Sequence, residues 1–568
     1  MRSTRFLSAV AIACAAVFVL AGCDGEGFKT LQAPDLGDQP PPGAGNGDGD
    51  DGFDDPGGDQ PAGNNPFAGT WMTAYGDDRA SGATDFGEQQ YAVRLDLRQS
   101  GSDLSGDGRM FRVFREGSQA SDEVTFDVTG TASEGDAIIE FTSPENGDFQ
   151  FTPQWYLRLA GNRLVGMHVE MDAEEEVARS GHAVWYRASS GSLEGSYITA
   201  YNDRHAGGDA DRRSRVGSVS ISTSGGQPGG NGNFLELVTD ETPLDLEFDL
   251  TRGGMQDDAL GFTFGGGDLT PDEIDWFAFH TGSVIAGAYG EFNENDALIR
   301  AGNAHWYPAS SPDPSNLNRT WVASFGDDDA ASGARRADFL ALVTLEVNED
   351  GSVSGDARVL DESADTPRFA TYDVTDGEIV GSRVFFELSG NNQSFLWDLR
   401  LGGSLMTGAY ERMDANGDYM GRGAAEWRPS TASPTMRGSW TVSYVDTRGE
   451  QSPETTQLAV VNVGERAENG ELSGTGTLRF AGEDRRRSFN VTGSVDDGLI
   501  EWVWEGGDLF GDTMWRLRQS SNRLYGTYTN FDSGGNVESR GSGIWLRGSE
   551  TADAADSQQQ APASSGPE

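Results

Sequence analysis

The residue types that most often perform catalysis are few in this sequence and do not recur together. Its five histidines are His168, His182, His205, His280 and His305. No two of them occupy the same position of the internal repeat described below, and no two have the spacing of a metal-binding pair. The sequence also contains no phosphate-binding glycine loop. We therefore predict that the protein is not an enzyme.

Acidic and amide side chains are the other candidates for chemistry, because their oxygens bind Ca²⁺. The stretch Asp414-Ala-Asn416-Gly-Asp418 resembles the start of an EF-hand calcium loop. It departs from that pattern because Gly417 comes too early and the twelfth position is Ala425 rather than Glu. Asp, Asn and Gly also form tight turns. The sequence therefore predicts a turn here, with weak calcium binding at Asp414, Asn416 and Asp418 as the alternative, and no other cofactor.

A Trp-Gly-Trp frame with fixed spacing occurs four times in the chain and divides it into the repeats that carry these loops. In each copy the glycine lies 11 residues after the first tryptophan, and the second tryptophan lies 30 residues after the first. The four copies are Trp155/Gly166/Trp185, Trp276/Gly287/Trp306, Trp397/Gly408/Trp427 and Trp515/Gly526/Trp545. The frame predicts a tandem array of one small domain. We place the four repeats at 66–190, 191–311, 312–433 and 434–550.

Within a repeat, apolar and polar residues alternate, which is typical of strands with one buried face. Residues 91–98, for example, place Tyr, Val, Leu and Leu between Ala, Arg, Asp and Arg. Turn sequences such as Asp350-Gly351 separate the strands. Eight short antiparallel strands would leave unpaired edges unless the sheet closes. The predicted fold is all-β, with four tandem eight-stranded antiparallel up-and-down β-barrels, and β-sandwiches are the alternative.

The tryptophans of the frame raise the question of a ligand pocket, because an eight-stranded barrel holds either packed side chains or one small ligand. In hollow barrels, Trp155, Trp276, Trp397 and Trp515 would contact a small apolar ligand. The last strand, however, reads Gly423-Ala-Ala425-Glu-Trp427 in the third repeat and similarly in the first two. Such small residues allow rings to stack closely. We therefore favour filled barrels in which these tryptophans belong to the core.

The N-terminus predicts export and a lipid anchor. Arg2 and Arg5 precede a short apolar run, residues 6–20, as in a signal peptide over residues 1–22. The run ends in Leu20-Ala21-Gly22-Cys23, which resembles the lipobox of bacterial lipoproteins. The resemblance implies cleavage before Cys23 and attachment of lipid to its sulfur. It places the protein in the bacterial cell envelope, anchored to the inner or outer membrane, in the periplasm or at the surface.

Composition describes the remaining segments and excludes one class of partner. The stretch 39–43 and the run 46–59 hold almost nothing apolar except Phe53, so residues 23–65 are predicted to be a disordered acidic linker, and residues 551–568 a disordered tail. The chain carries 91 acidic and 41 basic residues, a formal net charge of -50. Such a chain repels the phosphates of nucleic acids, so no nucleic-acid partner is expected.

The repeats are similar to the calycin group of barrels, which includes lipocalins and avidin-like proteins. The similarity rests on the openings Gly69-Thr-Trp71, Gly438-Ser-Trp440 and, more loosely, Arg319-Thr-Trp321. In that group the tryptophan closes the base of the barrel, and an arginine of the last strand often packs over it. The arginines of the closing strands here are Arg179, Arg300, Arg422 and Arg540. The resemblance implies a fold more than an activity.

Together these features predict a non-catalytic, lipid-anchored envelope or cell-surface protein. It would act in binding or adhesion, or as a spacer built of repeated barrels. Its partners would be the membrane, through the lipid, and an envelope or extracellular protein or a glycan. Two alternatives use the same scaffold: a carrier of small apolar ligands in the barrels, and a protease-inhibitor-like barrel protein.

Overall fold

A computed structural model describes residues 65–548 of the chain. It leaves out the short segments 78, 81–88, 117–118, 143–151, 173–175, 204, 207–211, 239–242, 257–258, 270–272, 294–297, 310–313, 331–335, 364–366, 433, 447–454, 465–469, 484 and 510. The predicted lipid-attachment residue Cys23, the acidic linker and the C-terminal tail lie outside the described residues.

The described residues form strands in four groups of the same order. The first group comprises β1 (Gly69–Gly76), β2 (Arg79–Ala80), β3 (Gln90–Ser100), β4 (Asp103–Glu116), β5 (Gln119–Ser133), β6 (Asp136–Thr142), β7 (Pro153–Ala160), β8 (Arg163–Met171) and β9 (Val177–Arg187). The second comprises β10 (Gly195–Asn202), β11 (His205–Ala206), β12 (Arg213–Ser224), β13 (Gln227–Val238), β14 (Leu244–Gln256), β15 (Ala259–Gly265), β16 (Glu273–His280), β17 (Ile285–Phe292) and β18 (Leu298–Pro308).

The third group repeats this order, and the described residues of the fourth repeat it with the eight long strands alone. The third comprises β19 (Thr320–Gly326), β20 (Asp329–Ala330), β21 (Asp338–Val347), β22 (Ser352–Asp361), β23 (Phe369–Val380), β24 (Arg383–Gly390), β25 (Gln393–Gly402), β26 (Leu405–Asp414) and β27 (Tyr419–Pro429). The fourth comprises β28 (Gly438–Asp446), β29 (Thr455–Val463), β30 (Glu471–Phe480), β31 (Arg487–Asp496), β32 (Leu499–Glu505), β33 (Thr513–Ser520), β34 (Arg523–Phe531) and β35 (Val537–Arg547).

Helical structure in the described ranges is limited to a 3-10 turn, Gly267–Leu269, and the four-residue helix α1, Pro314–Leu317. Across the same ranges, no helix has the length and apolar character needed to cross a bilayer.

Each group closes into an eight-stranded antiparallel barrel. Consecutive long strands pair with each other, and the first strand pairs with the last, as where Trp71 lies opposite Arg187 and Trp440 opposite Arg547. The short strands β2, β11 and β20 add to the far end of the closing strand. The prediction of four up-and-down barrels is therefore confirmed, and closure of the sheets excludes the sandwich alternative.

Two kinds of glycine make this geometry possible. Gly351 lies in the hairpin between β21 and β22 with φ 84°, a conformation that side chains disfavour. Gly408 belongs to the repeated frame, where two strands approach closely. A Cβ atom at Gly408 would lie 2.2 Å from the carbonyl oxygen of Asp398 and 2.3 Å from Cδ2 of Leu399. The close packing of these two strands therefore requires glycine at this position, which explains why every repeat has a glycine there.

The end at which the chain enters each barrel, called the base here, is sealed from within. The first aromatic residue of each barrel donates a hydrogen bond to the carbonyl of a buried apolar residue four positions earlier. The bonds join Trp71 to Phe67 (2.9 Å), Tyr197 to Leu193 (3.0 Å), Trp321 to Leu317 (3.2 Å) and Trp440 to Met436 (2.9 Å). The opening aromatic residue of each barrel is thus buried at the base and bonded to the segment that enters the barrel.

The arginine that packs over this tryptophan is not one of those expected. The guanidinium of Arg187 lies 4.2 Å from the Trp71 ring and that of Arg547 lies 5.6 Å from the Trp440 ring. In the third barrel Arg319, just before the strand, lies 5.8 Å from the Trp321 ring. Arg179 precedes Arg187 by eight residues on the same strand, which is about 26 Å of extended chain. The expected arginines therefore lie at the opposite end of the barrel.

The four barrels pack side by side in a closed ring. The first two long strands of each barrel contact the last three strands of the next one. Thus β1 and β3 contact β16, β17 and β18, and the same pairing relates the second barrel to the third and the third to the fourth. Strands β28 and β29 of the fourth barrel then contact β7, β8 and β9 of the first. Head-to-tail contacts of this kind form a ring when the rotation between units closes.

Equivalent outward-facing residues form the centre of each interface. Ala92, Val216, Leu340 and Leu458 each belong to an apolar cluster with residues of the neighbouring barrel. The pairs are Ala92 with Ala288, Val216 with Ala409, Leu340 with Tyr525, and Leu458 with Met167. The interface strands are consequently buried on both faces, whereas alternation predicted one buried face. The alternation within one repeat predicts that its outward-facing residues are exposed to solvent, because the sequence of one repeat does not show that another barrel covers them.

Candidate functional site

The barrel interiors are the first candidate site, and their tryptophan rings pack edge to face. The ring centroids are 5.1 Å apart for Trp155 and Trp185, 5.2 Å for Trp276 and Trp306, 4.8 Å for Trp397 and Trp427, and 5.1 Å for Trp515 and Trp545. The four predicted ligand contacts, Trp155, Trp276, Trp397 and Trp515, are all 0% exposed. A cavity that could hold water would leave accessible surface on the rings lining it. Side chains therefore fill the space around these four rings.

The indole N–H groups of the same pairs are unusual for buried donors. Within the described ranges, none of the eight makes a hydrogen bond; they belong to Trp155, Trp185, Trp276, Trp306, Trp397, Trp427, Trp515 and Trp545. In an edge-to-face pair, the edge of one ring meets the π face of the other, which is a weak acceptor. Contact with a ligand at Trp155, Trp276, Trp397 and Trp515 stays a prediction, and a ligand would have to displace packed side chains.

The opposite end of each barrel, called the mouth here, contains a buried aspartate at the end of the first strand or directly after it. These residues are Asp77, Asp203, Asp327 and Asp446. In the first three barrels the carboxylate accepts a hydrogen bond from a backbone N–H at the start of the next long strand or directly before it, at Gln89 (3.1 Å), Arg213 (2.8 Å) and Ala337 (3.1 Å). In the fourth it accepts one from the side chain of Gln457 (3.1 Å). The aspartate thus ties together the two ends of the first loop.

In the second barrel the aspartate belongs to a buried ionic network. The Arg215 guanidinium lies 3.3 Å from Asp203, 2.8 Å from Glu236 and 2.5 Å from Glu291. Burial alone would raise the pKa of Glu291, but Arg215 and Arg300 outweigh it and hold that pKa below its usual value. Arg300, one of the arginines expected over the base, serves this network instead. The mouth is therefore closed by paired charges.

The first barrel differs from the others at one inward position. It carries His168 where the other barrels carry tyrosine, at Tyr289, Tyr410 and Tyr528. The His168 Nε2 lies 3.3 Å from Oδ1 of Asp77, and the histidine is 0% exposed. Burial, followed by the charge of Asp77, raises the pKa of the neighbouring Glu170. A histidine–aspartate pair can exchange protons. The sequence signal for it was the departure from tyrosine in one repeat, which the comparison of histidines alone missed.

The candidate calcium loop forms a hydrogen-bonded turn. Oδ1 of Asp414 accepts hydrogen bonds from the backbone N–H groups of Asn416 (2.7 Å) and Asp418 (3.0 Å). These bonds lower the pKa of Asp414. Asp532 makes the same turn in the fourth barrel, accepting from Asn536 N at 2.8 Å. Within the described ranges no group of His, Cys, Asp and Glu is arranged to hold a metal ion. Calcium binding at Asp414, Asn416 and Asp418 stays a prediction.

Carboxyl groups at the mouth of the third barrel predict a pH dependence. Burial, followed by the charges of Asp327 and Glu362, raises the pKa of Asp338 to about 7. Burial also raises the pKa of Asp327 to about 6, although Arg412 opposes it. Because the folded pKa is above the unfolded one, the folded state holds extra protons between roughly pH 4 and 7. Stability is therefore present in full below that window and is lost as the pH rises through it.

We expect Asp338→Asn to remove part of this loss, since an amide keeps the size of the side chain and cannot ionise. At pH 8 the variant should be more stable than the natural protein by on the order of 1–2 kcal/mol, and at pH 4.5 the two should be nearly equal. Denaturant unfolding at both values measures the difference. Asp356→Asn, at an exposed position of β22, is the control. Equal stability of the Asp338→Asn variant and the natural protein at pH 8 would contradict the assignment.

Comparisons of the sequence with protein families and with curated proteins find no match. Among solved structures, a DUF3598 family protein of unknown function from Nostoc punctiforme has 11% identity and a TM-score of 0.16, over 41% of this chain and 97% of its own. Kievitone hydratase from Nectria haematococca has 11% identity and a TM-score of 0.20, over 41% and 90%. A transferrin binding protein B double mutant from Haemophilus parasuis has 10% identity and a TM-score of 0.19, over 83% and 99%. Similarity at these scores carries no conclusion about function.

Proposed function

We propose that the protein is a non-catalytic, lipid-anchored envelope protein whose ring of barrels binds an envelope or extracellular partner through its outer surface. The observation that carries the proposal is the closure of the barrels. Their bases are sealed by residues such as Phe67, their mouths by buried aspartates such as Asp203, and their interiors by rings such as Trp397. Recognition is then left to the loops and the outer faces.

The ring favours binding over a spacer role. A spacer gains reach when its units are strung out, whereas the fourth barrel here returns to the first and adds little length. Four related surfaces held on one body instead multiply weak contacts into avidity. The net charge of -50 favours a partner that is not a polyanion. A protein or a glycan is therefore the expected partner class.

The strand order gives the ring an orientation on the membrane. The first strand of the first barrel starts at the base, at Gly69, and the last strand of the fourth barrel ends at its base, at Arg547. A linker from a lipidated Cys23 would therefore join the ring on the side of the bases. The loops at the mouths would face away from the membrane, toward a partner.

The carrier alternative is tested by titrating the full chain with all-trans-retinol, oleate and biotin. We expect no saturable quenching of tryptophan fluorescence and no rise in melting temperature, because the interiors are filled. A ligand that binds only the folded state at 100 times its Kd would stabilise it by about 2.7 kcal/mol, which a melting curve detects. The guanidinium-unfolded protein controls for quenching without binding. Saturable binding of one molecule per barrel at micromolar concentration would move the carrier function to first place.

The anchor is tested by Cys23→Ser. We expect this variant to accumulate as an uncleaved precursor without lipid, because the serine hydroxyl replaces the thiol that the resemblance implicates. Metabolic labelling with a fatty acid, followed by fractionation of membranes, measures the effect. Cys14→Ser, within the predicted signal peptide, is the matched control and should be labelled normally. Label still present in the Cys23→Ser protein would refute the anchor while leaving the closed-barrel argument intact.

A further inference from the structure

The chain leaves each of the four barrels by the same route at the base. Three residues after the second tryptophan of the frame, a backbone N–H donates to a carbonyl of the same barrel's opening strand. The bonds join Ala188 to Thr70 (2.8 Å), Ala309 to Ser196 (2.7 Å), Ser430 to Thr320 (2.8 Å) and Gly548 to Ser439 (2.7 Å). The first three of these donors belong to the segments that connect consecutive barrels. The bond of Gly548 shows that the chain after the fourth barrel starts on the same course.

The next residue of a connecting segment binds the barrel that follows. The N–H of Ser189 donates to the carbonyl of Thr281 at 2.7 Å, and its hydroxyl donates to the same oxygen at 3.1 Å. The N–H of Thr431 donates to the carbonyl of Gln519 at 2.8 Å, and its hydroxyl accepts from the N–H of Ser521 at 3.0 Å. These partners belong to the hairpin between the sixth and seventh long strands. We call it the base hairpin; it spans residues 159–163, 280–284, 401–405 and 519–523 in the four barrels.

A hydroxyl side chain occupies this binding position in every repeat. Four residues after the second tryptophan, the sequence has Ser189, Ser310, Thr431 and Ser549. Ser310 and Ser549 lie outside the described residues. The segment ahead of Ser310 nevertheless reaches the base hairpin of the third barrel, since a Cβ atom at Gly402 would lie 2.9 Å from the carbonyl oxygen of Pro308. Ser549 is therefore the fourth member of a set whose two described members bind the next barrel.

The base hairpin of the first barrel lies within reach of Ser549. Strand β28 of the fourth barrel contacts β7 and β8 of the first, as β1 contacts β16 and β17 of the second. Ala160, in this hairpin, belongs to one apolar cluster with Leu546. Leu546 precedes Ser549 by three residues, which is about 10 Å of extended chain. The closing interface of the ring thus repeats the arrangement in which a connecting segment binds a base hairpin.

Unpartnered oxygens occur in the two base hairpins whose approaching residue is not described. Asn162 of the first barrel and Ser404 of the third occupy equivalent positions of the repeat. Their side-chain oxygens are shielded from solvent and have no hydrogen-bond partner within the described ranges. A shielded polar atom without a partner costs free energy. A residue that brings a backbone N–H and a hydroxyl to the hairpin supplies the donor that Asn162 lacks there.

We propose that the segment starting at Ser549 binds the base hairpin of the first barrel and clasps the fourth barrel to it. The backbone N–H of Ser549 donates to a carbonyl of this hairpin, and its hydroxyl donates to Asn162. The first and fourth barrels lie at opposite ends of the repeat array, so no connecting segment fastens their interface. The occupant is the chain's own segment, because Gly548 holds it beside the hairpin at high effective concentration. This contact does not depend on partner binding by the outer surface.

Amide hydrogen exchange of the full chain, resolved to single residues by mass spectrometry, tests the contact. We expect the Ser549 N–H, relative to its intrinsic rate, to exchange roughly tenfold more slowly than that of Ser557 in the predicted tail, because a bonded amide must open before it exchanges. The Ser189 N–H, whose bond is described, is the benchmark. Equal protection of Ser549 and Ser557 would refute the clasp. Protection of Ser549 that grows with protein concentration would also refute it, because a second copy would then be the partner.

Proline substitutions show where the segment binds. Ser549→Pro removes the N–H donor. Exchange at residues 159–163 should then rise roughly threefold or more, because the closing interface opens more often. Ser557→Pro is the matched control and should leave that exchange unchanged. Ser189→Pro should have the same effect on residues 280–284, which shows that the loss of such a bond is detected. Unchanged exchange at residues 159–163 in Ser549→Pro would overturn the proposal.

Discussion

Replacing Trp397 by alanine should lower the free energy of unfolding by about 3–5 kcal/mol, as large-to-small changes in a packed core do. Its ring is 0% exposed and lies 4.8 Å from Trp427, 4.8 Å from Tyr410 and 5.0 Å from Phe325. The surrounding rings belong to rigid strands and collapse little into the space left. Guanidinium unfolding of the full chain, followed by far-ultraviolet circular dichroism, measures the loss.

The matched control for this change is Val380→Ala, because Val380 is 59% exposed at a strand end of the same barrel. Its effect should stay within roughly 0.5 kcal/mol, the range of surface substitutions. A loss below about 1 kcal/mol for Trp397→Ala would contradict a filled interior. It would show instead that the ring borders space that solvent or a ligand can occupy.

Leu340→Asp should open the ring between the third and fourth barrels. Leu340 faces outward from its barrel, is 0% exposed and packs in one cluster with Val322 and Leu360 of its own barrel and with Tyr525 across the interface. An aspartate there would bury an unpaired charge, which costs about 3–5 kcal/mol. The barrel keeps its interior residues, such as Phe339, so the loss falls on the interface.

Small-angle X-ray scattering measures this opening as an increase in the radius of gyration, while circular dichroism should still report strands. Val380→Asp introduces the same charge at an exposed position of the same barrel and should leave the radius unchanged. Equal radii for Leu340→Asp and Val380→Asp would mean that the contacts between Leu340 and Tyr525 do not hold the barrels together.

Hydrogen bonds also cross the interfaces of the ring. Glu426 receives hydrogen bonds from its own barrel and from the fourth, while Tyr186 and Tyr307 join the first barrel to the second. Opening any interface would separate these groups.

The strands, the hairpins and the closed barrels could be predicted from the sequence, because they depend on local signals. Alternation over residues 91–98 places one face inside, Gly351 provides the turn, and the frame around Gly408 repeats the close strand crossing. Each signal acts within a few residues or between neighbouring strands. Four copies of the same signals then give four copies of the same barrel.

The ring and the hydrogen bonds that cross its interfaces depend on contacts between distant repeats. Ala288 and Ala409 read as small residues on a strand, yet each is covered by the preceding barrel. Glu426 and Arg523 lie almost a hundred positions apart, and neither occurs with its partner in the other repeats. Alternation reports which side of a strand is inside its own barrel. It does not indicate what covers the outer face of that strand. The barrels can therefore be predicted from the sequence pattern, whereas their assembly depends on three-dimensional packing between repeats.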